Sequence, residues 1–433
     1  MRIFTALLAT ALLGPLNAGF GQSGDGILPQ EPTIKALFPS PISLPELTPP
    51  TLPEPTGAYR IGTAIFHLTD TSRPDSLSKK PGQFRELMFQ VWYPTDSTAK
   101  GQTAPYIPNP ALLQALEDEQ HDSQDPTLLD SWGSISTRAI LNAPLSSERK
   151  KFPLLFFSHG LGEPRIIYTA LSRDLASHGF IVVCIDHPYG GITVLPDGRV
   201  IAAAMDPDAG NDEAQPRIIE AWTKDVLFVL ERMSSQAKSD PVGLSRFARH
   251  IDLDRIGMLG HSLGGAAALE ACRTDARFKA CADLDGAPFG KVTEEGLKRP
   301  TLIMRSGPIY SDEDLAKRGR TREQWEEMGR QGRLMWGSLF EKSKSVPVYS
   351  IKINGAGHMS YSDAPFVMPD TINRFGGRII EAGRGFEIMS HYIRAFFDKY
   401  FNNQRSDLLD GSTPVYPEVT AERFNLLTAF SSL

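Results

Sequence analysis

Short apolar runs without polar alternation, each bounded by turn residues, most constrain what this chain can fold into; they lie at 153–157, 180–185, 256–259, 280–284, 301–305 and 348–353. A strand lacking alternation is buried on both faces, as happens where helices cover both sides of a parallel sheet. Helical patterns separate these runs at 165–178, 222–233 and 266–272, as right-handed crossovers require. Two earlier segments, 59–68 and 87–93, alternate in part and suit a meander at a sheet edge. The expectation is one α/β domain over residues 57–405, with a mostly parallel sheet of about eight strands and helices on both faces. A helix over 388–401 closes it, and an irregular tail occupies 406–433. Segments 104–150 and 318–344 break the rhythm and read as helical insertions, serving either as walls of a site or as cover for the core.

Ahead of this domain, Met1-Arg2 and an apolar stretch from Ile3 to Leu16 lead into Ala18, Gly19 and Gly21. That is the pattern of a signal peptide over residues 1–21, so the mature protein is expected outside the cytoplasm, extracellular or periplasmic. Residues 22–56 form a proline-rich linker or a packed arm, because proline fixes φ and removes donors. With 45 Lys+Arg against 51 Asp+Glu and no basic block, binding to nucleic acid is not expected. Cys184, Cys272 and Cys281 sit in apolar segments and read as buried thiols, although two could pair. No CxxC pair and no His/Asp/Glu cluster has metal spacing, so neither metal nor cofactor is expected. The acidic stretch 206–213 resembles a calcium loop only loosely, since Arg217 stands where a bidentate glutamate belongs.

The sharpest local signal is Gly260-His261-Ser262-Leu263-Gly264-Gly265, between the 256–259 run and the Ala-rich 266–272 helix. GxSxG alone is weak, but strand, turn and helix in that order make a nucleophile elbow, which lifts a serine above the sheet. A serine needs a base, and the base needs a carboxylate. His358 follows the last strand, in Asn354-Gly355-Ala356-Gly357-His358, whereas His261 is locked beside the serine and would point away from it. Spacing leaves the acid open. Asp285 ends the 280–284 run, while Asp312 and Asp314 lie one strand later; Asp283 shares a face with Asp285, one step deeper. An oxyanion hole requires two N–H donors; Leu263 supplies one, and Leu161 in Ser158-His159-Gly160-Leu161-Gly162 the other.

At these residues the chain resembles the plasma-type platelet-activating factor acetylhydrolase family, calcium-independent phospholipases A2 of the α/β-hydrolase superfamily. Phe157-Ser158-His159-Gly160-Leu161-Gly162 is similar to that family's oxyanion loop, and Leu175-Ala176-Ser177-His178-Gly179-Phe180-Ile181-Val182 to its next helix end and strand. Trp92-Tyr93-Pro94, Tyr106-Ile107-Pro108 and His358-Met359-Ser360-Tyr361-Ser362-Asp363 also look alike in place. The resemblance implies Ser262, Asp285 and His358 as a triad, because Leu284-Asp285 falls on the family's acid motif, and Leu161 and Leu263 as oxyanion donors. It further implies a secreted serine esterase that cleaves the sn-2 ester of phospholipids with short or oxidised acyl chains. Such an enzyme takes a lipid or small-molecule ester, needs no cofactor or obligate protein partner, and is compatible with peripheral contact to a lipid surface. Leu263 stands where well-known members carry Phe, and the two insertions differ most, so acyl-length and headgroup preference are not carried over. Other readings are a polyester, cutin-like or general carboxylesterase with the same triad, and a non-catalytic binding module, although such modules usually lose the serine or histidine.

Overall fold

The computed structural model describes residues 50–119, 130–203, 214–235, 242–369, 379–410 and 415–424. The expected signal peptide, most of the proline-rich segment and the acidic stretch 206–213 lie outside them. β1 (Arg60–Pro74) and β2 (Phe84–Thr95) pair antiparallel along nearly their whole length. There follow β3 (Thr103–Pro105), α1 (Pro110–Glu119), β4 (Ser136–Leu141), β5 (Phe152–Ser158), α2 (Thr169–Ser177) and β6 (Ile181–Asp186). A small hairpin, β7 (Thr193–Val194) and β8 (Val200–Ile201), precedes α3 (Ala214–Ser234), β9 (Ile251–His261), α4 (Leu263–Thr274) and β10 (Phe278–Leu284). β11 (Thr301–Gly307), α5 (Arg322–Lys342), β12 (Val348–Asn354), α6 (Ala382–Asn402) and β13 (Val419–Phe424) complete the elements used below.

The main sheet runs β13-β12-β11-β10-β9-β5-β6-β2-β1-β4-β3. Its middle, from β12 to β6, is parallel throughout, and these are the strands written as unbroken apolar runs. Leu155, Phe157, Val182 and Leu259 face one core with α2 and α6, while Leu154, Phe156, Val183 and Met258 face the other with α3 and α4. Each such side chain contributes about 1.5–3 kcal/mol through burial, so a one-residue slip of register would be costly on both faces. The elbow at the end of β9 and the acid-bearing end of β10 are therefore fixed to each other by the core beneath them.

Among the described residues the sheet has 11 strands rather than about eight. The additions, β3, β4 and β13, lie at or next to the two edges of the sheet, where little is buried, and so carry no long apolar run. Segment 104–150 holds α1 but also β4, which pairs parallel to β1, so it is not purely a helical insertion. The tail expected to be irregular contributes β13, antiparallel to β12. Cysteine needs a correction too: Cys272 and Cys281 form a disulfide, with Cα atoms 6.5 Å apart, and only Cys184 remains a buried free thiol among the described residues. The short turn from α4 into β10 brings them together. The end of the proline-rich segment is a packed arm, since Leu52 is buried and Thr56 bonds Asp174 Oδ1 through both N–H and Oγ1, each at 2.8 Å.

The second insertion is helical as expected. The C-terminal half of α5 buries Trp336, Leu339 and Phe340 against Leu269, Ile303 and Val348, but Leu334 and Met335 remain exposed. Among the described residues no helix is long and apolar enough to cross a membrane.

Candidate active site

The carboxyl ends of adjacent strands carry the chemistry side by side: the His358 turn after β12, Ser306 within β11, Asp285 after β10, Ser262 after β9 and the Leu161 loop after β5. Ser262 has φ 55° and ψ −123°, a strained backbone for a residue with a side chain. Its N–H donates to the Leu284 carbonyl at 2.9 Å, which pins the turn to the neighbouring strand. Gly264 is required by close approach, because a Cβ there would sit 2.2 Å from the Ser158 carbonyl oxygen. Elbow and oxyanion loop are thus pressed backbone to backbone.

Asp285 also adopts a positive φ, 53°, and its N–H donates to Met304 O at 2.7 Å. Its Oδ2 accepts from His358 Nδ1 at 2.7 Å. Ser306 steadies the same carboxylate, donating N–H to Oδ1 at 2.6 Å and Oγ–H to Oδ2 at 2.8 Å. Burial pushes the Asp285 carboxyl up, but the bond and charge of His358 with the Ser306 bonds outweigh it and hold its pKa below the usual carboxylate value. For His358, burial works against the charged ring, and Asp285 more than reverses it, so the pKa is raised. A base whose cation is already favoured is suited to accept a proton as the reaction proceeds.

The other aspartates lie elsewhere. Asp312 is exposed and pairs with Arg322, and Asp314 closes a capping box with Ser311. Asp283 is fully buried one step deeper; Oδ1 accepts from Gly286 N–H at 2.6 Å, and Oδ2 has no hydrogen-bond partner among the described residues. Burial raises its pKa to about 8.

Around the expected oxyanion loop, Gly160 N–H donates to Tyr168 Oη (3.1 Å), Gly162 N–H to Gly190 O (2.6 Å) and Glu163 N–H to Gly160 O (3.2 Å). Leu161 and Leu263 pack in one apolar group with Trp222. Among the described residues no hydrogen bond joins Ser262 Oγ to His358 Nε2.

Sequence reasoning missed several groups. Ser306 lies one residue beyond the apolar run it was scanned for, and Glu163 and Tyr168 follow the glycine loop as apparent filler. A carboxylate set among glycines and apolar residues was the available signal for Glu163. A second relay was also overlooked: Ser158 Oγ lies 2.9 Å from His187 Nε2, and His187 Nδ1 lies 2.9 Å from Asp225 Oδ2. All three side chains are wholly buried.

Comparison with known proteins now adds to this geometry. The family model for platelet-activating factor acetylhydrolase, isoform II, matches residues 49–190 and 236–413. The chain belongs to that family. A "probable 1-alkyl-2-acetylglycerophosphocholine esterase" of Arthroderma benhamiae is 25% identical over 85% of this chain and 92% of its own. The dog platelet-activating factor acetylhydrolase is 27% identical over 61% of this chain and 62% of its own length. Among solved structures, a ferulic acid esterase from Streptomyces cinnamoneus superposes with a TM-score of 0.67 at 28% identity, covering 86% of this chain and 99% of that one. This acetylhydrolase-family chain has the α/β-hydrolase fold and is an ester hydrolase.

Proposed function

We propose that the chain is a secreted serine esterase that hydrolyses the sn-2 ester of phospholipids bearing short or oxidised acyl chains. The observation that carries the reading is the 2.7 Å bond from His358 Nδ1 to Asp285 Oδ2, at strand ends next to a serine held in a strained elbow. Ser262 Oγ attacks the sn-2 carbonyl carbon while His358 Nε2 takes its proton. Asp285 keeps the ring oriented and stabilises the imidazolium that forms. The N–H groups of Leu161 and Leu263 hold the oxyanion, each such donor being worth about 3–4 kcal/mol. Collapse of the tetrahedral adduct passes the His358 proton to the departing lyso-lipid oxygen. Water, deprotonated by His358, then releases the acyl group from Ser262.

The lipid substrate is supported by the names of the relatives from Arthroderma benhamiae and dog. Secretion is supported by the amino-terminal signal pattern and by the Cys272–Cys281 disulfide, a bond that persists in oxidising compartments. The ferulic acid esterase likeness favours a second reading, a general carboxylesterase acting on polyester, cutin-like or small aryl esters with the same residues.

The test is acyl release from phosphatidylcholines that differ only in sn-2 chain, acetyl against palmitoyl, beside an aryl ester and a polyester film. Cleavage of the acetyl lipid over the palmitoyl one, lost in Ser262→Ala, is the expected result. Turnover of aryl ester or film with neither lipid cleaved would replace the first reading by the second.

A further inference from the structure

Between the oxyanion loop and the base lies a buried cluster that the mechanism above does not use. Glu163 is 1% exposed and His261 is fully buried. Glu163 Oε2 contacts Tyr168 Oη and lies 3.1 Å from His261 Nδ1. Tyr168 Oη is 2.8 Å from that same His261 nitrogen and accepts from Gly160 N–H at 3.1 Å. On its other side, His261 Nε2 lies 2.9 Å from the carbonyl oxygen of His358. A carbonyl only accepts, so Nε2 carries a proton, and a hydrogen bond from His261 to the Glu163 carboxylate requires a second proton, on Nδ1, which faces both the carboxylate and the phenol oxygen.

These contacts converge on one side chain. Through Tyr168, Glu163 reaches the loop that presents Leu161. Through His261, the residue before Ser262, it reaches both the elbow and the backbone of the base. Gly160 has no side chain for the same reason, since a Cβ there would meet Glu163 Oε2 at 2.5 Å. The base is therefore held from two directions, by Asp285 at its ring and by the Glu163–His261 chain at its main chain. The rings of His261 and His358 are 4.5 Å apart between centroids.

We infer that Glu163 is a positioning residue for ester hydrolysis, acting through His261 and Tyr168 to set His358 and the Leu161 loop in register with Ser262. The inference rests on the triad reading above. A charge fixed this close also bears on the base: Glu163 is one of the groups favouring the His358 cation, together with Asp285 and Asp283. Other groups around the site are His261 and Tyr361, whose rings pack together, with Arg305 bearing on Tyr361.

The experiment compares the full chain with Glu163→Gln, Glu163→Asp and Tyr168→Phe, using a soluble aryl acetate as probe and Ser262→Ala as control. Expected for Glu163→Gln is a kcat lowered about tenfold to a hundredfold with KM changed less than about twofold, since small misplacements of reacting groups cost that much. Its acidic limb should also move to lower pH, because one group favouring the imidazolium has lost its charge. Glu163→Asp, which keeps the charge, should retain the wild-type limb. Wild-type kcat and an unmoved limb in folded Glu163→Gln would overturn the inference. If Glu163→Gln does not fold, Tyr168→Phe decides, as it removes one hydroxyl and leaves the ring in place: a several-fold loss in kcat at constant KM supports the inference, and wild-type kcat sinks it. Activity surviving in Ser262→Ala would instead overturn the triad reading, a separate failure that the control reports.

Discussion

Two serine–histidine–aspartate groupings share this molecule, the proposed triad and a buried one, and atom for atom their histidine–aspartate links are alike: 2.7 Å from His358 Nδ1 to Asp285, and 2.9 Å from His187 Nδ1 to Asp225. Their surroundings differ. Ser262 sits in a strained turn at the open end of the sheet. Ser158 is the last residue of β5 and is wholly buried, so no substrate carbonyl can reach it. The carboxylates differ in what else they hold. Asp285 takes two bonds from neutral Ser306, whereas Asp225 also binds Arg73 and Arg85. Burial lowers the pKa of His187, and the two arginines add to that effect against the pull of Asp225, so its ring is neutral. The same burial at His358 is overcome by Asp285. Under the proposed mechanism, access and an uncommitted carboxylate charge are what separate the Ser262 grouping from the buried brace at Ser158. The buried relay braces the start of the loop that presents Leu161, tying it to α3 through Asp225 and to β2 through Arg85.

The largest expected effect sets one serine against the other. Ser262→Ala should lower kcat by on the order of 10⁶-fold and abolish labelling by an organophosphate, with an unchanged melting temperature. Ser158→Ala should still label at Ser262 and lose less than about tenfold in turnover. Labelling that vanished only in Ser158→Ala would reverse the assignment of the two relays.

The acids should part next. Asp285→Asn is expected to cost roughly 10⁴-fold in kcat while folding normally. Asp225→Asn removes one of two buried carboxylates that pair with Arg85, Asp75 being the other, so it should lose about 1–3 kcal/mol of stability in denaturant titration. A mild kinetic effect at Asp285 would move the acid away from β10.

A pH series sharpens the contrast between the histidines. The proposed mechanism needs neutral His358, whose pKa is raised above 6.5. Turnover should therefore climb with pH through a midpoint above that value, and Asp285→Asn should shift the midpoint down. His187 titrates lower and should add no second limb there. An acidic limb centred below 6.5 in the wild type would contradict the His358 environment described here.

The smallest effect concerns a third aspartate. Asp225 and Asp283 are both wholly buried, yet arginines offset burial at Asp225 and hold its pKa low, while burial raises Asp283 to about 8. A raised acid favours the folded state fully below the unfolded value of 3.8, and that advantage drains away as pH climbs to about 8. The wild type should lose stability over this window and Asp283→Asn should lose less, as read from melting temperatures at intervals of pH. Parallel curves would mean that Asp283 is already ionised in the folded protein.

The parallel centre of the sheet was legible because strands buried on both faces must be apolar throughout. β13, with Thr420, Glu422 and Arg423 in its sequence, was not legible, since an edge strand has little to bury. The disulfide was hidden for a related reason: apolar neighbours made Cys272 and Cys281 look like ordinary core, and only the turn from α4 to β10 shows them side by side. Ser262 and His358 carry their signals locally, in the glycines and strand ends around them. Spacing left Asp285 level with Asp312 and Asp314; the family resemblance favoured it, and in the structure it is the one of the three bonded to His358. Glu163 and Tyr168 reach His261, and Ser158 reaches His187, across long sequence separations that no local pattern pairs.

The antiparallel pairing of β13 with β12 also orders events during synthesis. β12 leads into the His358 turn, and its outer ladder is supplied by residues made well after that turn, with Asn354 N–H donating to Glu418 O at 2.8 Å. Until those residues leave the ribosome, the strand feeding the base is an open edge, ready to pair with another nascent chain. The molecule thus completes the flank of its proposed reactive centre late, and a carboxyl-terminal clip would return it to that unfinished, adhesive state.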